Sequence, residues 1–315
     1  MNNFISKNIL KPFAGRWLSG FLLLLFWTIA FIALPTVSGW FLAACSVAFI
    51  TANTVFAYMV PSSLIRFMAL IRTATRYFER LENHKTTLGA QRKLQLKIFE
   101  SVARLPYFKK QVNNNSSILE NSTYGIDLIL NHVLLWILPF AALIISLIIY
   151  YFFIQFFSQV IAIEFIISSA ILLFLVPQII FIKNRKLFEQ LKQVREETNQ
   201  ELIQSFRGRI EISKYNLYEK AIKQQEQRIV QIEQLETKLQ TNSFSLQLIV
   251  GFGLSVLAIF LLWNSGNYEI SAQVAIGVFF GILAQAELAE MLFAGKSEKS
   301  SVYKQIKDIN SIIEE

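Results

Sequence analysis

The 315-residue chain is 54% hydrophobic, with 28 Phe, yet it carries 30 Lys or Arg against 22 Asp or Glu for a net charge of +8. That composition excludes an ordinary soluble domain, and Cys45 as the lone cysteine excludes an internal disulfide. With only His84 and His132 beside it, no cluster has the spacing of a structural metal site, and the positive excess reads as attraction to anionic lipid rather than to nucleic acid.

The charges are segregated along the chain. Lys7, Lys11 and Arg16 precede a run from 17 to 65 that holds no Asp, Glu, Lys or Arg. This run is far longer than the apolar region of a secretory signal, so a first membrane span over about 17–42 is expected to stay uncleaved, entered through an interfacial helix around Phe4 to Phe13. Pro35 and Ser38-Gly39 lie in its outer half, and Cys45 is expected as a small apolar residue near the outer surface.

The second predicted span, about 56–78, continues as one helix to the break at Pro106. Arg72, Arg76, Arg80 and His84 recur every fourth residue and wind slowly along one face, with Arg66 rejoining it further up. A row of cations in a membrane helix implies a water-filled cavity, a partner or an anionic ligand, or else snorkelling and pairing with Glu79 and Glu82. Such a helix is roughly 75 Å long against about 30 Å of hydrocarbon, so much of it stands outside the bilayer. Asn113 to Ser117 marks a turn in a cytosolic region at about 106–124, after which a helix restarts before the third span, about 133–153.

A short uncharged connection leads to the fourth span, about 165–182, which runs on as an amphipathic helix with Leu187, Leu191, Val194 and Leu202 at helical spacing. The chain breaks at Arg207-Gly208-Arg209 and returns with Ile222, Ile229, Ile232, Leu235 and Leu239 on a stripe into the fifth span, about 244–263. The sixth, about 272–292, carries Gly277-x-x-x-Gly281, a small-residue packing signal, and near its inner end Glu287 and Glu290, which either line a cavity or sit at the interface. Ala294-Gly-Lys-Ser is no phosphate loop, because Glu290 stands where its first glycine belongs and no strand precedes it. Lys and Arg concentrate before the first span and in the long connections and tail, which places both termini in the cytosol.

Four stretches resemble a known family. Leu34-Pro-Thr-Val-Ser-Gly-Trp-Phe-Leu-Ala, Arg72-Thr-Ala-Thr-Arg-Tyr-Phe-Glu-Arg-Leu-Glu-Asn-His, Leu105-Pro-Tyr and the hairpin tip from Gly208 to Asn216 are similar to the CydC-type subunits of heterodimeric ABC exporters for cytochrome bd assembly. The resemblance covers essentially the whole chain and implies an all-α membrane protein, a six-helix exporter domain with helices extended into the cytosol. It implies a bacterial inner-membrane location, a CydD-like second half-transporter, and ATP used only through a partner nucleotide-binding domain, which this sequence is expected to lack. Export of cysteine, glutathione or haem follows from the same likeness, with Arg66, Arg72 and Glu287 toward the substrate cavity. Regions 106–124 and 207–218, with Gly208, Arg209, Glu211 and Tyr215 in the second, would couple to the ATPase, although Ser117-Ile118 replaces the family's Gly-Glu in the first. His84 would ligate the iron of haem b while Arg76 and Arg80 pair with its propionates, His84 being otherwise a solvated histidine near Glu82. A non-transporting haem-binding or regulatory subunit is the alternative.

Overall fold

The computed structural model describes residues 5–51, 56–104, 125–268, 270–294, 302, 305–307 and 309–310. No strand occurs among them. The helices are α1 (Ala14–Ile50), α2 (Met59–Arg104), α3 (Ile126–Gln155), α4 (Gln159–Arg207), α5 (Arg209–Lys214), α6 (Tyr218–Ser265) and α7 (Ala272–Ala294). Short π and 3-10 turns, Ser6–Leu10 and Lys11–Phe13, lead into α1. The all-α architecture expected from the charge-free runs is therefore present.

Five of these helices, α1, α3, α4, α6 and α7, are long and apolar enough to cross a membrane. α2 is not among the five, because Arg66, Arg72, Arg76, Glu79 and Arg80 dilute its apolar stretch. Expected spans were shorter than the helices that carry them. Chain polarity marks where lipid ends, whereas a helix ends only where backbone hydrogen bonding fails. α1 passes through Pro35 to Ile50, and the Thr36 hydroxyl donates to the Ile32 carbonyl at 2.7 Å next to the donor that Pro35 lacks. α3 and α4 each contain a five-residue π turn, Val133–Ile137 and Ile171–Leu175, just before Pro139 and Pro177. The expected turn at Asn113 to Ser117 and the coupling region 106–124 lie outside the described residues.

The chain divides into two compact units. One comprises Met1–Ser169 with Gly251–Glu315. In it α1 is the central helix, with α2 packed on one side and α7 on another. Small residues permit the approach to α7: a Cβ on Gly277 would come within 2.9 Å of the Thr36 carbonyl oxygen, and one on Gly281 would overlap the Tyr150 and Thr36 hydroxyls. The Gly-x-x-x-Gly signal is thus a packing seam. Tyr150 anchors it by donating to the Val278 carbonyl at 3.1 Å. A separate core gathers Ile9, Trp17, Ala90, Leu94, Ile98, Ile126 and Ile129 with Val302, Ile306 and Ile309 of the tail. Trp17 Nε1 donates to the Ile9 carbonyl at 3.2 Å, tying the entry turn to α1.

The other unit, Ala170–Val250, is an antiparallel pair made by the outer part of α4 and the first part of α6. Its register is set by polar pairs. Asn242 donates to Asn184 at 2.6 Å, Arg195 pairs with Glu236, and Arg228 bridges Glu197 at 3.2 Å and Glu201 at 2.9 Å. Leu191 and Leu239 are buried between the helices. Leu202, read from sequence with Leu191, and Ile222 and Ile229, read on the stripe with Leu239, are exposed, because two helices alone can shield one narrow seam.

Candidate functional site

A helix turns 100° per residue, so each fourfold step along α2 advances about 40° around it. That drift divides the predicted row. Arg72, Arg76, Glu79 and Asn83 turn toward α1, while Arg66, Arg80 and His84 are exposed. Arg72 lies over the Phe31 ring with its guanidinium carbon 4.2 Å from the centroid, and Arg76 lies over Trp27 at 4.1 Å. Arg76 also pairs with Glu79 at 3.0 Å, and Asn83 donates to the same carboxylate at 2.7 Å. Asn83 fits because Gly20 leaves space where any Cβ would overlap its amide oxygen. That oxygen, Oδ1, is buried without a hydrogen-bond partner in the described structure.

The three close approaches share one register. Trp27 and Phe31 are one turn apart on α1, as are Arg76 and Arg72 on α2, and Gly20 meets Asn83 further along the same antiparallel pair. The aromatic partners went unread in the sequence, although the matched fourfold spacing on neighbouring helices was the available signal. Phe31 is 3% exposed and stands about 22 Å along α1 from Arg16, the last charged residue before it. An arginine deep in lipid costs about 2.5–3.5 kcal/mol, and a desolvated cation–π contact returns about 2 kcal/mol. Glu79 closes that difference for Arg76. Arg72 has no carboxylate within ion-pair distance among the described residues.

Arg80 and His84 stand one turn apart on the open face, and neither has a hydrogen bond or ion pair among the described residues. The imidazole is thus available as a ligand and the guanidinium as an anion partner, whereas Arg76 is committed to Trp27 and Glu79. His132 is buried and stacks on Trp136, with centroids 6.3 Å apart. Glu287 is exposed on α7, and the Glu290 carboxyl lies against the backbone of Gly251. Among the described residues no three His, Cys, Asp or Glu side chains form a metal-binding group.

The tip of the helical pair is built by local chemistry. Gly208 ends α4, its carbonyl accepts from Ile212 N–H at 2.9 Å, and Glu211 accepts from Tyr215 N–H at 2.9 Å through its backbone oxygen. Asn216 takes φ 57°, a conformation its short amide side chain tolerates, which reverses the chain into α6. Arg209, Glu211 and Tyr215 are all exposed there, together with Phe206 and Ile210, each 70% exposed. Apolar side chains so open at the end of a charged hairpin form a surface without a cover among the described residues.

No family model matches the sequence. Among curated proteins the chain is 25% identical over 279 residues to the glutathione/L-cysteine transport system ATP-binding/permease protein CydC of Escherichia coli (strain K12), covering 86% of this chain and 48% of that protein. The corresponding protein of Haemophilus influenzae is 25% identical over 259 residues, with coverage of 81% and 44%. The chain spans about half the length of the curated relatives it matches. Similarity over four fifths of the sequence, laid on described residues that are helical with five long apolar helices, supports a CydC-like ABC exporter membrane domain.

Proposed function

We propose that the chain is the transmembrane subunit of an ABC exporter that carries small thiols, cysteine or glutathione, across the bacterial inner membrane in support of cytochrome bd assembly. In this reading α2 supplies a sixth crossing, both termini are cytosolic, and a CydD-like half-transporter completes the translocation path. Nucleotide-binding domains dock on the hairpin tip and drive alternating access. The carrying observation is the similarity to two glutathione/L-cysteine transport proteins over more than four fifths of the chain. The exposed tip supports it, since Ile210 and Tyr215 offer apolar anchors among Arg209, Glu211 and Lys214.

Cysteines introduced at Arg209 and Lys214 are expected to cross-link to an ATPase chain in native membranes, and ATP-dependent glutathione uptake by inverted vesicles is expected to fall with Tyr215→Ala. Cross-links confined to membrane-proximal positions would show that the tip is not the coupling surface.

A second reading, a haem-binding subunit, is favoured by Arg80 and His84, which have no hydrogen bond or ion pair among the described residues. His84 would hold the iron and Arg80 a propionate, and bound haem would supply a redox-active centre. In the haem-loaded complex His84→Ala is expected to shift or abolish the Soret band, and Arg80→Gln to weaken haem retention with a smaller spectral change. An unaltered spectrum and haem occupancy in the His84 variant return it to a solvated histidine.

A further inference from the structure

We propose that Arg72, held over the Phe31 ring, is the binding residue for a carboxylate or phosphate anion within the membrane domain. Three observations converge on it. Its guanidinium carbon is 4.2 Å from the ring centroid, so the ring covers one side of the group and its N–H donors remain for another partner. Arg72 is only partly buried, which leaves an edge reachable. Its charge is the one in the α1–α2 contact that lacks a counter-anion among the described residues, since Arg76 one turn away is matched by Glu79.

Each element of this geometry prepares the side chain for an anion. A planar fork whose orientation is set by an aromatic ring has little freedom left to lose when a carboxylate engages two of its N–H groups. Phe31, nearly fully buried, cannot swing away and so acts as the positioning residue. Arg66 lies about 120° away around α2 and is exposed, so it belongs to a different face. Two sources could supply the anion: the carboxylates of a small solute such as glutathione, or the phosphate of an acidic lipid headgroup. The solute source rests on the exporter reading, but the anion site itself does not.

The test uses the full chain, purified with its associated partners and reconstituted in nanodiscs of phosphatidylcholine with or without phosphatidylglycerol. Glutathione is titrated by calorimetry beside its diethyl ester, which has no free carboxylate. The site predicts that Arg72→Gln weakens glutathione binding by about tenfold or more, Arg72→Lys and Phe31→Leu by about threefold, and Arg66→Gln by less than about twofold. The diester should bind no better to the parent than to Arg72→Gln. Stabilisation by phosphatidylglycerol that is lost in Arg72→Gln, without glutathione binding, assigns the site to lipid phosphate and upholds the anion site. Equal glutathione binding and equal phosphatidylglycerol response in the parent and in a folded Arg72→Gln protein overturn it. Undiminished ATP-driven glutathione transport by Arg72→Gln removes the site as a substrate contact and leaves the exporter reading intact. Arg72-dependent binding in a complex that transports nothing removes the exporter reading and leaves the site.

Discussion

Gly277→Leu is expected to force α7 away from α1 and to lower the melting temperature of the purified chain by roughly 5 °C or more. A single added Cβ would already approach the Thr36 carbonyl oxygen to 2.9 Å and the Trp40 Cβ to 3.1 Å. Backbone cannot rotate aside as a side chain can, so the strain falls on the helix pair as a whole. Overpacking of this kind costs about 1–3 kcal/mol, occasionally more, and leucine adds three carbons beyond that Cβ. Gly281→Leu should behave alike, since Tyr150 and Thr36 fill the space beside it and Tyr150 is tied to Val278. Gly266 has open space around it, so Gly266→Ala serves as the neutral comparison. Equal melting of the Gly277→Leu and Gly266→Ala proteins would show that α1 and α7 do not pack as described.

Glu79→Ala carries the second large effect. Its carboxylate is 6% exposed and takes charge from Arg76 and a hydrogen bond from Asn83, so removal leaves a cation and an amide without their shared acceptor. Losing one partner of a buried ion pair costs about 3–5 kcal/mol, and the 35% exposure of the Arg76 side chain places this pair near or below the lower end. Glu79→Gln keeps an acceptor and should cost about 1 kcal/mol. A double variant with Arg76→Leu and Glu79→Leu should recover much of the loss, because it removes the stranded charge together with the pair. Denaturation of the parent, the Arg76→Leu and Glu79→Leu single variants and the double variant measures the coupling. Additive effects of the single changes would mean that Arg76 and Glu79 do not act as a pair.

The Gly277 seam joins two helices, whereas the Glu79 cluster lies within α2 and meets α1 through Trp27 and Gly20. The helices themselves were legible: six spans were read, five of which fall on the long apolar helices, and Gly208 with the polar stretch around it located the reversal between α4 and α6. The four-residue spacing from Arg72 to His84 was legible as a row, since it follows from helical periodicity alone. The similarity to CydC was legible in the Arg72 to His84 stretch and is matched by the curated relatives. The length of α1 was not, because the span read over about 17–42 follows polarity while the helix itself continues to Ile50.

What periodicity could not decide is which members of the row meet a neighbour. A drift of about 40° per fourfold step is small, yet it sends Arg72 and Arg76 onto Phe31 and Trp27 and leaves Arg80 and His84 open. That outcome depends on the rotation and register of α2 against α1, which Gly20 sets by admitting Asn83. The tail is a parallel case: Val302, Ile306 and Ile309 show helical spacing, but only packing against Ile9, Leu94 and Ile129 gives that face a destination. Sequence by itself determined the helices and their polarity, because backbone hydrogen bonding and solvation are local to each segment. Tertiary structure alone decided which charges of the row stack on an aromatic ring and which stay open, because that depends on contacts between residues far apart in the chain.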